Sequence, residues 1–287
     1  MVETQEEIIK KITCRARLLR KHSLIMALDA GSNGAHLGPG YSMAEIMATL
    51  YTAIIRHDPK NPSWPDRDRF VLSKGHGVLG YYTILAECGY FPVDLLKTFE
   101  TKDSPLAGHP SIHQEMGIDF STGSLGHGLS LGLGLALAAK KDRKDIDTYV
   151  YMGDGECNEG SVWEAAMAAS HFKTDNLVAV IDRNKIQSDG FSRDIIDMGD
   201  MAAKWRSFGW HVREVNGHNV TELLDAFHKR NRPSGLPYLV VAHTIKGKGV
   251  SFFENNNAWH HKSLTSDEFC DAMMELGFNE NGEDVFK

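Results

Sequence analysis

The residue types best suited to chemistry stand in two short segments, each directly after an apolar run. Asp154, within 153–156, follows the run 148–152, and Asn184 follows the run 177–181. Continuous apolarity predicts strands covered on both faces, and neighbouring parallel strands end at the same edge of a sheet. We therefore expect these two side chains to face one ion. Oxygen ligands favour a hard cation such as Mg²⁺, which usually completes its shell with phosphate oxygens, so the pattern predicts a phosphorylated ligand.

The elements that must position these residues alternate along the chain. A capping-box pattern at 4–7 predicts an opening helix that ends near Gly31 and Gly34. The predicted strands are 66–73, 148–152, 177–181, 210–215 and 238–242, and further helices are expected at 125–139, 161–171, 221–229 and 265–276. This rhythm predicts an α/β fold, a mostly parallel sheet flanked by helices. Since no long Pro, Gly or Ser linker interrupts it, we expect a single domain over 1–287.

Composition narrows the functional classes. The 287 residues are 42% hydrophobic and 24% charged, which suits a globular protein with its own core. A net charge of -7 argues against a nucleic-acid partner. The acidic start resembles no secretory signal, and the most apolar segment, 125–139, is shorter than a membrane crossing and is expected to be a buried helix. We therefore expect a cytoplasmic protein with no membrane partner. The four cysteines form no Cys-x-x-Cys pair, which argues against zinc or a redox motif.

The order of several motifs resembles one enzyme family. Gly-Asp-Gly followed by Asn184 resembles the signature of the thiamine-diphosphate enzymes, although Arg183 replaces the first Asn of the usual Asn-Asn pair. Nearly the whole chain is similar to the amino-terminal half of a transketolase. The matching segments, in family order, are 33–38, 67–76, 108–110, 121–128, 185–190 and 244–249. The implied fold is the thiamine-diphosphate-binding fold.

The resemblance implies a role for each matching residue. The metal ligands would be Asp154, Asn184 and the carbonyl of Ile186, with Mg²⁺ or another divalent cation such as Ca²⁺ or Mn²⁺. The implied contacts to thiamine diphosphate are His76, Gly123, Ser124, Leu125, Asp154, Gly155, Glu156, Asn184, Lys246 and His260. The implied catalytic residues are His36, His109 and His260. His36 and His109 would face the donor ketose, where imidazoles pass protons to and from sugar hydroxyls near neutral pH.

Other positions are less specific. His127 stands where transketolases commonly have Gln, and His261 is an alternative to His260. Glu159 matches an acid at the family's subunit contact, and the glycine and alanine spacing in 128–139 is typical of a packed interface helix. Four further histidines are interpreted as structural or surface residues: His22, His57, His113 and His218.

The chain is also similar to only part of a transketolase. A full transketolase is roughly twice as long, and the pyrimidine-binding and C-terminal domains are expected to be absent here. The resemblance therefore implies the N-terminal subunit of a heteromeric transketolase, which moves a two-carbon ketol unit from a ketose phosphate to an aldose phosphate. Its partner would be a C-terminal subunit with the pyrimidine domain. We expect a heterotetramer, because such enzymes pair around a two-fold axis.

Three alternatives stay open at this point. One is an α-type subunit of a 2-oxoacid decarboxylating complex or a deoxyxylulose-phosphate synthase-like protein, which the histidine set disfavours because a 2-oxoacid needs less handling of sugar hydroxyls. Another is a transketolase specialised for an unusual sugar, such as a sulfonated one. The last is a noncatalytic binding subunit, which predicts loss of a metal ligand, yet Asp154 and Asn184 are both present.

Overall fold

The fold is built on a parallel five-stranded sheet in residues 3–285, the part of the chain that this computed structural model describes. The strands are β1 (Arg69–Leu72), β2 (Thr148–Gly153), β3 (Leu177–Arg183), β4 (His211–Asn216) and β5 (Tyr238–His243). Their spatial order is β1-β2-β3-β5-β4, and every neighbouring pair is parallel. The predicted fold class is confirmed. Residues 1–2 and 286–287, the two ends of the predicted domain 1–287, lie outside the described residues.

Helices cover both faces of the sheet. They are α1 (Gln5–Asp29), α2 (Leu37–Ser42), α3 (Ala44–Thr49), α4 (Val78–Cys88), α5 (Gly128–Lys141), α6 (Gly160–His171), α7 (Ser192–Ile195), α8 (Met201–Ser207), α9 (Val220–Phe227) and α10 (Ser266–Glu275). A capping box begins α1, where the Glu7 backbone N–H donates to Thr4 Oγ1 and the Thr4 backbone N–H donates to the Glu7 carboxylate. Such a cap satisfies two of the backbone donors that a helix start leaves unpaired.

Alternate residues of the central strands enter two separate cores. Tyr149 and Tyr151 of β2 pack in one core with α1 to α4, α9 and α10. Val150 and Met152 pack in the other core with α5, α6 and α8. Because both faces are buried, the strand sequences are continuously apolar instead of alternating, as expected from the sequence. Polar residues at the carboxyl ends of β2 and β3 therefore meet at one edge, with Gly153 in register with Asp182.

Helix α5 differs from the prediction in its bounds and in its burial. The sequence predicts a buried helix over 125–139, but the helix runs over Gly128–Lys141 and buries only one face. Leu129 and Ala136 pack towards the sheet, whereas Ser130, Gly134 and Ala138 are exposed. The hydrophobic composition of a helix does not specify whether its second face is covered by the same chain.

Several element boundaries also differ from those expected. The strand predicted over 66–73 covers only Arg69–Leu72, because pairing with β2 begins where Arg69 meets Thr148. The helix predicted over 221–229 ends at Phe227, and the strand predicted from 210 begins at His211. Within residues 3–285, no helix combines the length and the apolar character needed to cross a bilayer.

Candidate active site

The turn after β2 places Asp154 beside the end of β3. Asp154 Oδ1 accepts from the Gly155 backbone N–H at 2.9 Å. Its Oδ2 accepts from the Lys185 backbone N–H at 2.9 Å and from Ser192 Oγ at 3.3 Å. The approach is close at Gly155, where a Cβ would lie 2.6 Å from Gln187 Cγ and would require the Gln187 side chain to move. The two strand ends thus come together as the parallel arrangement requires.

The residues present fit a divalent cation. Asp154 is buried, and its pKa is raised by that burial and by the neighbouring charge of Asp182. Among the ion pairs of residues 3–285 none involves Asp154, so its buried charge has no paired cation. Asn184 adds an amide oxygen, whose present donor is the Ile186 backbone N–H at 3.1 Å. No group of three His, Cys, Asp or Glu side chains in the described range is suited to hold a metal, so a cation here would need carbonyl, amide or ligand oxygens as well.

The carbonyl of Ile186, an implied metal ligand, contacts Lys246 in this structure. It accepts from Lys246 Nζ at 3.1 Å, and so does the carbonyl of Gln187. The same ammonium donates to His260 Nδ1 at 2.7 Å. Burial and the charge of Lys74 lower the pKa of Lys246 to about 8. A cation that used the Ile186 carbonyl would therefore share this oxygen with Lys246.

Four histidine rings surround that of His36. The His36 ring centroid lies 4.4 Å from that of His261, 5.4 Å from His260, 5.6 Å from His76 and 5.7 Å from His109. Burial, followed by the neighbouring imidazoles, lowers the pKa of His36 to about 3. Burial and the charge of Lys246 lower the pKa of His260 to about 4. These two rings are therefore neutral near pH 7, and a neutral imidazole has one donor and one acceptor nitrogen.

One cavity of about 420 Å³ collects these groups. The sequence-predicted residues that line it are His36, His76, His109, Gly123, Leu125, Asp154, Gly155, Glu156, Asn184, Ile186, Lys246 and His260. Ser124 does not line it. That residue is exposed and lines an adjoining open depression that also contains His127. The turns that carry His76 and Gly123 approach closely, since a Cβ on Gly75 would lie 2.9 Å from the Gly123 backbone nitrogen.

Glu156, an implied cofactor contact, lines the cavity while its carboxylate is held by internal donors. Its carboxylate accepts from Ser73 Oγ and from the backbone N–H groups of Gly126 at 2.9 Å and Gly153 at 3.0 Å. These internal donors occupy both oxygens, so Glu156 holds three turns together and does not present a free carboxylate. Burial raises its pKa.

The histidines expected to be structural do lie in other parts of the fold. His218 Nδ1 lies 2.8 Å from Glu45, and its Nε2 accepts from the Ile245 backbone N–H at 2.9 Å. His57 lies 3.0 Å from the Tyr51 carbonyl. Sequence reasoning missed the buried ion pair of Lys74 and Asp182, in which Lys74 lines the cavity and Asp182 does not. The available signal was a charged residue at the end of each apolar run, Lys74 after β1 and Asp182 within β3.

The parallel sheet, the Gly-Asp-Gly turn and the histidine-lined cavity define a thiamine-diphosphate-binding protein. The chain belongs to the transketolase family: a family model described as "Transketolase, thiamine diphosphate binding domain" matches residues 16–286. The resemblance noted in the sequence is thereby confirmed.

Relatives and solved structures agree with this assignment. The chain is 43% identical to an apulose-4-phosphate transketolase subunit of Actinobacillus succinogenes, over 91% of this chain and 94% of that protein. It is 42% identical to the 6-deoxy-6-sulfo-D-fructose transketolase subunit SqwG of a Clostridium species, with the same coverage of 91% and 94%. Transketolase from Leishmania mexicana superposes with a TM-score of 0.86 at 29% identity. That alignment covers 95% of this chain and 42% of the Leishmania chain, so this protein spans about two fifths of a solved transketolase.

Proposed function

We propose that this chain is the N-terminal, thiamine-diphosphate-binding subunit of a split transketolase. The proposal rests on how much of each relative's length this chain matches. The chain matches 94% of relatives that are named as subunits, but only 42% of a solved transketolase chain. The remaining part of the enzyme, including the pyrimidine-binding domain, is then supplied by a separate C-terminal subunit. The reaction is reversible transfer of a two-carbon ketol unit from a ketose phosphate to an aldose phosphate.

The cavity supports binding of the diphosphate with a divalent cation. Asp154 and Asn184 are the proposed side-chain ligands, with Mg²⁺ as the first choice because all donors are oxygen atoms. The carbonyl of Ile186 is the third proposed ligand. Lys246 adds positive charge on the same side of the cavity and would also offset the charge of the phosphates. When bound, the coenzyme supplies an electron sink for the carbanion left by carbon-carbon cleavage.

The histidines are proposed to handle the sugar hydroxyls. Because His260 Nδ1 accepts a hydrogen bond from Lys246, the neutral His260 ring carries its own proton on Nε2 and offers it as a donor. His36 lies among the other rings and is neutral, so its free nitrogen can accept a hydrogen bond from a sugar hydroxyl. His109 lies between the main cavity and the adjoining depression, a position open to an incoming sugar.

The sugar is proposed to carry an anionic group. The two subunit relatives are named for apulose-4-phosphate and for 6-deoxy-6-sulfo-D-fructose, sugars with a phosphate and a sulfonate. Their identities to this chain, 43% and 42%, do not favour one over the other. A sulfonated donor therefore stays beside the sugar phosphates as a candidate. We propose a heterotetramer of two copies of each subunit, in the cytoplasm.

The test is reconstitution from two polypeptides. This chain is mixed with a separately produced pyrimidine-domain protein, thiamine diphosphate and Mg²⁺, and ketol transfer is measured with phosphorylated and sulfonated ketoses. We expect turnover in the mixture and none from either polypeptide by itself. Turnover with pyruvate or a branched 2-oxoacid, and none with any ketose, would contradict the proposal. Calorimetric titration of the mixture with the coenzyme shows separately whether binding occurs.

A further inference from the structure

Asp182 is a buried acid that the proposed chemistry does not use. Its side chain is 0% exposed, and it is absent from the cavity wall formed by its neighbours. Its carboxylate accepts from three side chains in three separate segments: Ser42 Oγ at 2.5 Å, Lys74 Nζ and Thr244 Oγ1. Lys74 is itself only 1% exposed and donates to the Pro39 carbonyl at 3.1 Å.

Asp182 and two of its donors each stand two residues before a predicted site residue. Lys74 stands two residues before His76, Thr244 two residues before Lys246, and Asp182 itself two residues before Asn184. Ser42 ends helix α2, which begins directly after His36. The Asp182 backbone carbonyl also accepts from the Asp154 backbone N–H at 3.2 Å. One buried residue therefore connects the segments that supply the candidate ligands and catalytic rings on this side of the cavity.

We propose that Asp182, with its partner Lys74, is a positioning residue that fixes the relative placement of the metal-binding, diphosphate-binding and histidine segments. The expected effect on coenzyme binding rests on the proposed function, whereas the contacts of Asp182 do not. A buried ion pair is an inefficient way to stabilise a fold, because the cost of desolvating both charges offsets much of their attraction. Its three directional acceptor bonds, by contrast, fix distances between segments that apolar packing alone would leave adjustable.

The matched comparison is a second buried ion pair at the opposite edge of the sheet. Asp147 precedes β2, and its Oδ2 accepts from Arg232 Nη2 at 2.6 Å with both side chains less than a tenth exposed. D147N therefore removes a similar buried charge far from the cavity. D182N keeps the shape and one of the two acceptor oxygens but loses the charge. K74M/D182N removes both charges and so leaves no unpaired ion.

Two measurements decide the question, and only one of them needs the coenzyme. The first is the set of imidazole ¹⁵N resonances of the free, folded chain. We expect those of His36, His76 and His260 to shift in D182N and K74M/D182N and to stay unchanged in D147N. The second is the dissociation constant for thiamine diphosphate with Mg²⁺ in the assembled enzyme. We expect it to rise about 10- to 100-fold in D182N and K74M/D182N, as for outer partners of metal ligands.

The outcomes separate the two proposals. Unchanged imidazole resonances in the folded D182N or K74M/D182N chain would overturn the positioning role, whether or not the wild type binds coenzyme. Failure of the wild-type assembly to bind coenzyme would overturn the proposed function and leave the resonance result as the test of positioning. If D182N does not fold, the decision passes to K74M/D182N, and wild-type resonances and affinity in that variant show that the pair has no positioning role.

Discussion

Lys246 Nζ donates to His260 Nδ1 over 2.7 Å while it also donates to two carbonyls of the loop after β3. One ammonium thus connects the proposed metal-binding loop to the histidine wall. The tautomer of His260 follows from this contact, since an acceptor Nδ1 requires the proton of the neutral ring to be on Nε2. The two ends of the cavity are therefore coupled through a single side chain.

Replacing Asp154 should remove coenzyme binding without harming the free protein. In D154N the buried carboxylate becomes neutral, which removes the cost of burying its charge, but the amide nitrogen replaces an oxygen that accepts from a backbone N–H. The melting temperature of the free chain should therefore change little. Wild-type protein with Mg²⁺ and thiamine diphosphate at 100 times the dissociation constant should gain about 2.7 kcal/mol, which D154N should lack. Thermal unfolding with and without ligand measures both effects. D225N, at an exposed acid, is the control. An equal ligand-induced shift in D154N would exclude the proposed metal ligand.

His109 should affect turnover more than coenzyme binding. Its ring lies between the cavity and the adjoining depression, where a sugar would enter. Loss of proton transfer by one side chain typically slows a reaction by about 10²- to 10⁴-fold. We therefore expect H109N to lower kcat by about this factor in the assembled enzyme, with the coenzyme dissociation constant unchanged. H113N, at a histidine outside the cavity wall, should retain full activity. A normal kcat in H109N would contradict the catalytic assignment.

The stability of the folded chain should fall as the pH drops below 6.5. Burial depresses the pKa of His36 to about 3, while an unfolded chain protonates this ring near pH 6.5. The unfolded state therefore binds more protons in this range, and the stability present above pH 6.5 is lost progressively towards the folded pKa. H36N lacks the titrating group, so its urea midpoint should change less between pH 7 and pH 5 than that of the wild type. The comparison stops at pH 5 because the ordinary pKa values of Asp and Glu lie below it. A parallel decline in both proteins would show that His36 is not responsible.

The exposed side of α5 and α6 should be part of the subunit interface. Met167 on α6 and Phe172, the residue that follows α6, are each 53% exposed. On α5, Gly134 and Ala138 are exposed. An unpaired carboxylate buried at an interface costs about 3–5 kcal/mol. We expect M167E to fold normally but to remain separate from the pyrimidine-domain partner in size-exclusion chromatography with light scattering. M274E, at a similarly exposed methionine on α10, should assemble. Normal assembly of M167E would place the interface elsewhere.

Much of the site could be predicted from the sequence because its signals are local. Strands β2 and β3, predicted from their apolar runs, end directly before Asp154 and Asn184, and parallel strands bring such ends to one edge. Among the cofactor contacts implied by family motifs, Ser124 alone lies outside the main cavity wall. A turn motif specifies which residues are near a ligand, but the direction of each side chain depends on the backbone of that turn.

The remaining features depend on contacts between distant segments. Lys74 and Asp182 are 108 residues apart, and no pattern in either segment pairs them. The engagement of the Ile186 carbonyl by Lys246 joins positions 60 residues apart. The glycine and alanine spacing of α5 predicts a packed interface helix, but this spacing does not specify which chain covers the exposed face.

The cavity wall contains positions that differ in how well they would tolerate a larger side chain, and Gly155, close to Gln187, is a crowded one. Even one added methyl group at Gly155 would collide with Gln187, and the same holds for Gly75 against the Gly123 turn. Ile195 and Ile196 also line the cavity, and both side chains are exposed. A mutant library intended to alter sugar preference should therefore randomise the two isoleucines and keep both glycines invariant.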